Sequence, residues 1–156
     1  MSLIPGWAPN LHPLIIHFPI ALLFAAAMVD LVDASFARPA WLGSGAASLY
    51  LAGAAAAVVA YLTGQQAAAT VFVPGMAHPL VEDHRAWALI TVWYAGVVAV
   101  ARLAGLLAGF PRSRAHRVLL LTAAAIGVLF LQQTAERGAR LVYEHGVGVI
   151  AAPGSR

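Results

Sequence analysis

The sequence has no cysteine and no lysine, and few of its residues carry charge. Charged residues make up 10% of the chain, whereas an average soluble domain has about 25%. The absence of cysteine excludes disulfide bonds, thiolate metal sites and iron–sulfur clusters held by cysteine. All nine basic residues are arginine, and several gather in one short loop, so they indicate membrane topology rather than nucleic-acid binding.

Motifs of the common enzyme classes are also missing from the sequence. It contains no glycine-rich phosphate loop, no nucleophile triad, no carboxylate pair at hydrolase spacing and no zinc-protease motif. A chain without a recognisable catalytic set is more typical of a subunit that carries electrons or anchors other proteins than of an enzyme.

The chain is rich in apolar residues. They account for 62% of its 156 residues, and the mean hydropathy is +0.82, whereas average soluble domains are about 45–50% apolar. A chain this short has no interior large enough to bury so much apolar surface. We therefore expect the lipid bilayer to be its solvent.

Four apolar segments are long enough to cross a bilayer as α-helices, because a span needs about 20 residues. They predict an all-α transmembrane four-helix bundle, with the whole chain, 1–156, as a single integral membrane domain. An amphipathic C-terminal tail, 135–156, is predicted after the last span. The four predicted spans are 13–32, 41–63, 79–107 and 115–134.

The arginines predict which loops face the cytoplasm. Arg112, Arg114 and Arg117 lie between the third and fourth spans, and Arg38 lies in the first loop. Basic residues are enriched in cytoplasmic loops. We therefore expect a multi-pass protein of the bacterial cytoplasmic (inner) membrane, with both termini on the outer, periplasmic side.

Asp30 lies near the cytoplasmic end of the first predicted span. A carboxylate at that depth either relays protons or has a cationic partner, because an unpaired charge within the membrane is costly. Since Arg38, Arg102 and Arg117 are all expected at the same end, we expect Asp30 to form an ion pair with one of them.

An internal repeat is indicated by polar residues at matching positions. The interval along the chain from His17 to Gln65 equals the interval from His84 to Gln132. Each glutamine begins a Gln-Gln pair that closes an even-numbered span, and a His-Pro-Leu triplet precedes each odd-numbered span. The pattern predicts a repeat of about 12–66 and 78–133, which makes the bundle two similar helical hairpins.

His17 and His84 each lie about one turn inside an odd-numbered span. Ionisable residues within spans are rare and usually functional, and imidazole is a common axial ligand of haem iron. One imidazole from each hairpin suits a haem b with two histidine ligands, and Arg85 at the outer surface suits a propionate. His17 and His84 are therefore the predicted metal ligands, and Arg85 is predicted to bind the cofactor with them.

Two other interpretations of the histidines remain open. A bare copper or zinc ion would need several histidines to converge from different segments. No two of them are three or four residues apart, the spacing that places two side chains on one face of a helix. Alternatively, His17 and His84 bond to glutamine side chains or to the backbone and only hold helices together.

The two ends of the chain resemble an uncharacterised bacterial family of predicted membrane proteins with a domain of unknown function. Residues 11–22, LHPLIIHFPIAL, are similar to that family's HPxxVHFPIAL motif before the first of four spans. Residues 141–149, LVYEHGVGV, are similar to its LVYxHGVGV ending. Ile16 stands where the family usually has valine, a change of similar volume. The resemblance covers nearly the whole chain.

The resemblance implies a four-helix protein of the bacterial inner membrane and brings no established activity with it. Domains of this family also occur beside c-type cytochrome modules, which by association favours a redox role for His17 and His84. The match at the C-terminal end adds His145 as a third candidate for cofactor binding.

These patterns predict a small b-type haem membrane subunit that passes electrons between quinol and a partner redox protein. The expected partners are the lipid bilayer, other protein subunits or a c-type cytochrome, and quinone, in an oligomer or a larger complex. One alternative is a non-redox membrane anchor or assembly subunit of a larger complex. Another is a membrane protein that binds a metal ion through its histidines.

Overall fold

The computed structural model describes residues 10–36, 39, 41–110 and 113–149, and every regular element in these residues is a helix. A short 3₁₀ turn, Gly75–Ala77, precedes the fourth α-helix. The α-helices are α1 His12–Ile15, α2 His17–Ser35, α3 Trp41–Thr70, α4 His78–Leu107 and α5 Arg114–Tyr143.

Four helical stretches are long and apolar enough to cross a membrane, and they confirm the predicted four-span, all-α architecture. In each stretch, between 6% and 33% of an apolar 18-residue window is buried inside the protein. Lipid therefore covers most of the outer faces. The four stretches are His12–Ser35, Trp41–Thr70, Gly75–Leu107 and Arg114–Tyr143.

Prolines determine where the first span is interrupted. Pro13 occupies the first turn of α1, where an N–H group is not needed. Pro19 cannot donate a hydrogen bond to the carbonyl of Ile15, one turn earlier, and its ring crowds that carbonyl. The helix is accordingly broken at Ile16, between α1 and α2.

Two helices run further than the predicted spans. α3 continues to Thr70, so Gly64, Gln65 and Gln66, which follow the predicted end of the second span at residue 63, belong to the helix. α5 likewise continues through residues 135–143 of the predicted tail. Both helices therefore present polar side chains from a regular helical backbone at the same end of the bundle.

The four spans pack as a ring in which α2 contacts α3 and α5, and α4 contacts the same two helices. The centre of the ring is built from small side chains, because Ala26, Ala95 and Ala99 cluster with Leu23 and Tyr50. Small residues let membrane helices approach closely, which gives van der Waals packing where the hydrophobic effect between helices is weak.

The ring has two ends, which we name by their chemistry. The histidine end is formed by the starts of α1 and α4 and by the ends of α3 and α5. The arginine end is formed by the ends of α2 and α4 and by the starts of α3 and α5. Because every span crosses once, the two ends lie on opposite sides of the membrane.

Candidate functional site

His12 lies at the histidine end with its imidazole half-buried between α1 and α3. Its Nδ1 atom is 3.3 Å from the hydroxyl oxygen of Thr63. That hydroxyl donates its own hydrogen to the carbonyls of Val59 and Ala60, each at 3.0 Å. If the Thr63 hydroxyl keeps these bonds, its oxygen accepts from His12, so the proton of the neutral ring is on Nδ1 and Nε2 has the lone pair.

His84 is also half-buried, and its environment fixes the same tautomer. Its Nδ1 atom is 3.0 Å from the backbone carbonyl oxygen of Thr134. Since a carbonyl can only accept, Nδ1 carries the proton and Nε2 again has a free lone pair. Both imidazoles are thus held through Nδ1.

A glycine in the partner helix makes room for each ring. A Cβ built on Gly64 would lie 3.0 Å from Cε1 of His12, and a Cβ built on Gly138 would lie 3.1 Å from Cε1 of His84. Thr63, which bonds to His12, directly precedes Gly64, and Thr134, which bonds to His84, lies one turn before Gly138. Each hairpin therefore holds its imidazole between a hydrogen-bond partner and a glycine of the same helix.

His17, the expected partner of His84, is exposed on the outside of the bundle. His17 begins α2, after the break at Ile16, whereas the half-buried His12 belongs to α1. His78 is also exposed, and six residues of the unbroken helix α4 place it about 120° around the helix from His84. The structure places His12 against Thr63 of α3 and His84 against Thr134 of α5, both at the histidine end, whereas His17 is on the outside.

Sequence reasoning missed His12 because a histidine beside proline at a helix start is usually only a terminal residue. Two signals could have found it. The interval from His12 to Thr63 is within one residue of the interval from His84 to Thr134. Each threonine also lies near a glycine in the same even-numbered span, and small residues mark places where a helix can be approached closely.

Arg85 is placed on the exposed surface, away from the two imidazoles. Its guanidinium lies 3.6 Å from the carboxylate of Glu82, and the Arg85 side chain is 59% exposed. Arg137 of α5 is a half-buried arginine at the histidine end. It lies over the Trp87 ring, 4.8 Å from its centroid, and its Nε donates to Asp83 at 2.5 Å. Nothing in the sequence pattern singled out Arg137.

His145 is half-buried in the turn that follows α5. The turn is closed by backbone bonds from Gly146 N–H to the Val142 carbonyl (3.0 Å) and from Val147 N–H to the Leu141 carbonyl (2.9 Å). Gly146 has φ +64°, a left-handed conformation that glycine adopts readily at a helix C-terminus. His145 is therefore at the histidine end, after the helix that holds Gly138.

The arginine end contains a buried ion pair between Asp30 of α2 and Arg102 of α4. This confirms the expectation that an arginine at that end pairs with Asp30. The Tyr50 hydroxyl donates to the second carboxylate oxygen of Asp30 at 3.1 Å, and the Arg102 guanidinium lies 5.1 Å from the Tyr50 ring centroid. The pair thus ties three spans together.

The chain was compared with known protein families, curated proteins and solved structures. A family model described as "Predicted membrane protein (DUF2231)" matches residues 8–151, which include all four spans. The chain belongs to this family. No curated protein and no solved structure matches it. The DUF2231 assignment agrees with the multi-pass membrane architecture and gives no activity.

The donor set at the histidine end distinguishes between kinds of metal site. In the part of the DUF2231 chain that the structure describes, no group of three or more acidic or histidine side chains could hold a metal ion. A bare zinc ion needs three or four protein ligands. Haem iron needs only one or two, because the porphyrin supplies the others. Two imidazoles, those of His12 and His84, match that smaller number.

Proposed function

We propose that this DUF2231 protein is a small b-type haem subunit of a bacterial inner membrane that passes electrons between quinol and a partner redox protein. In this proposal His12 and His84 would hold the haem iron, and His12 replaces His17 of the sequence-based hypothesis. The observation that carries the proposal is that each hairpin holds one imidazole through Nδ1 at the same end of the bundle.

The hydrogen bonds at Nδ1 are of the kind that metal-binding histidines require. Such histidines usually donate their second ring N–H to a protein acceptor, which fixes the tautomer and the ring orientation. Thr63 and the carbonyl of Thr134 serve as these acceptors. Bound haem would supply reversible one-electron transfer, while the protein orients the ligands and limits water access.

Arg137 is a better candidate than Arg85 to hold a haem propionate. The Arg137 side chain is 18% exposed, against 59% for Arg85, so its charge is less screened by solvent. Trp87 and Asp83 already hold the guanidinium in place. A carboxylate beside it would gain a charge-assisted bond without ordering a free side chain.

The proposal places the histidine end and both termini on the periplasmic side, where a c-type cytochrome or another subunit could dock. This orientation is supported by the cluster of arginine in the sequence between the third and fourth spans, because basic residues favour the cytoplasmic side of membrane proteins. Arg114 and Arg117 lie at the start of α5, at the arginine end.

Visible spectroscopy of the protein purified in detergent tests the proposal. We expect a b-type α-band in the reduced-minus-oxidised spectrum of the wild type. The band should disappear in His84→Ala and in His12→Ala, since each substitution removes one of the two nitrogen donors. A wild-type protein that stays colourless after haem is supplied contradicts the proposal.

A non-redox anchor or assembly subunit is the second candidate, favoured by one observation. Both imidazoles already have partners within the bundle and pack against glycine, so they can hold the hairpins together without a cofactor. In that case the protein would be colourless and would contain no stoichiometric copper or zinc. Metal analysis of the same sample distinguishes this function from a bare-metal site.

A further inference from the structure

A cavity of about 210 Å³ opens at the arginine end, between the end of α4 and the start of α5. It is far from the two imidazoles, because Arg102 and His84 are separated by five turns of α4, about 27 Å of helix. Its polar lining comes from Asp33, Arg102, His116 and Arg117. The cavity therefore belongs to no part of the proposed haem site.

Three glycines keep this cavity open. Gly43 of α3, Gly105 of α4 and Gly109 all line it and have no side chain to fill it. A Cβ on Gly109 would meet no atom within 4 Å, and Gly109 has φ +64°, which permits the tight turn after α4. The cavity is smaller than drug-sized and cofactor pockets, which start at about 300 Å³, and it suits a small polar group.

Arg117 is the charged group of the cavity that favours an anion. Arg102 is paired with Asp30, and both Arg102 and Asp33 already have partners. The Arg117 guanidinium has a weak bond to the backbone carbonyl of Asp33, at 3.5 Å, and forms no ion pair with the acidic residues that the structure describes. Its N–H groups are therefore the donors that can bind an anion in the cavity.

Apolar side chains continue from the cavity to the lipid-facing surface. Leu106 and Phe110 line the cavity and are 46% and 59% exposed. A molecule with a polar end in the cavity could therefore leave its apolar part along the outside of the bundle. Free phosphate would use the donors and leave this apolar border without a partner.

We propose that the cavity binds the headgroup of an anionic glycerophospholipid, with the phosphate on Arg117. Basic pockets between membrane helices are a known mode of anionic lipid recognition. The proposal is independent of haem binding, since it concerns the other side of the membrane and other residues.

Native mass spectrometry of the detergent-purified full chain tests the site. Phosphatidylglycerol and phosphatidylcholine with the same acyl chains are added separately, and bound lipid is counted. We expect phosphatidylglycerol to bind more tightly. Arg117→Gln should weaken its binding about fivefold, the effect of one arginine near a membrane surface. Arg114→Gln is the matched control, because Arg114 is exposed in the same turn of α5 and does not line the cavity.

A second variant covers the case in which Arg117→Gln unfolds. Gly105→Leu fills the cavity without changing charge, and its Cβ would meet Phe110 at an ordinary 3.5 Å. The Gly105→Leu protein should lose phosphatidylglycerol binding. In the absence of lipid, it should unfold at the same temperature as the wild type without lipid. Equal binding of both lipids, an equal effect of the Arg114 and Arg117 substitutions, or release of the lipid by inorganic phosphate alone would overturn the proposal.

Discussion

At the scale of single residues, the position of one hydrogen decides what each imidazole can do. Thr63 and the carbonyl of Thr134 both take the Nδ1–H of a histidine, so Nε2 of each ring is an electron-pair donor. A ring with the opposite tautomer would present an N–H group there and could not bind iron through that nitrogen. Residues that never contact a cofactor thus determine whether one can bind.

Thr63→Val tests this role with a side chain of nearly the same shape. Without the hydroxyl, His12 loses the acceptor that fixes its ring, and we expect haem affinity to fall about 10–100-fold. Titration of the haem-free protein with haem measures the change. Thr122→Val is the control, because the Thr122 hydroxyl is exposed and bonds only within its own helix. Similar losses in both variants would argue against the orienting role.

Gly138→Ala tests the packing of His84 against α5. The new Cβ would lie 3.1 Å from Cε1 of His84, so the ring or the helix must shift, at a cost of about 1–3 kcal/mol in the free energy of unfolding. Gly96→Ala is the matched control, since its Cβ would meet nothing within 4 Å. Reversible unfolding in mixed micelles should show a loss only for Gly138→Ala. An unchanged Gly138→Ala protein would refute the close packing.

At the scale of elements, one face of α4 provides interior side chains from one end of the bundle to the other. The steps from His84 to Thr91 and from Thr91 to Arg102 are close to two and three whole turns of helix. The Thr91 hydroxyl lies 2.8 Å from the hydroxyl of Thr134 on α5. This helix therefore places an imidazole, a hydroxyl pair and a guanidinium along the interior, each with a partner from another span.

Arg102→Leu tests the contribution of the ion pair between α2 and α4. The change leaves the carboxylate of Asp30 buried without its cation, which typically destabilises a protein by about 3–5 kcal/mol. The double variant Asp30→Leu/Arg102→Leu removes both charges and should recover most of this loss. A double variant as unstable as Arg102→Leu would show that Asp30 does not depend on Arg102.

The positions of the spans could be predicted from the sequence, but the face of each helix that points into the bundle could not, for a physical reason. Length and hydropathy identify a membrane helix without reference to the rest of the fold. In a bilayer, however, the lipid-facing side of a helix is as apolar as its packed side, so apolar periodicity did not show that His12 faces inward and His17 outward. The end of α3 was missed because Gln65 and Gln66 resemble a link, although their backbone continues the helix.

At the scale of the whole molecule, the exposed surface is that of a protein surrounded by lipid. Large apolar side chains such as Trp93 and Leu107 are 69% and 78% exposed, far more than a soluble monomer tolerates in a continuous band. Of the four spans, α5 is the least buried by the other helices, since 6% of its apolar 18-residue window is buried inside the protein. A partner subunit inside the membrane would therefore find most open surface along α5.

The orientation of the molecule can be tested with single cysteines, because the natural chain has none. Met76→Cys is at the histidine end, and Phe110→Cys is at the arginine end; both native side chains are well exposed. We expect a membrane-impermeant maleimide to label position 76 in intact spheroplasts and position 110 only after lysis. The reverse pattern would place the termini in the cytoplasm.

The most direct test of the central claim is the haem content per protein in His12→Ala and His17→Ala, purified side by side. The account predicts that His12→Ala loses its haem because an inward-facing ligand is gone. His17→Ala should keep wild-type content, since that side chain faces outward. Full haem content in His12→Ala, or a loss confined to His17→Ala, would contradict the pairing of His12 with His84.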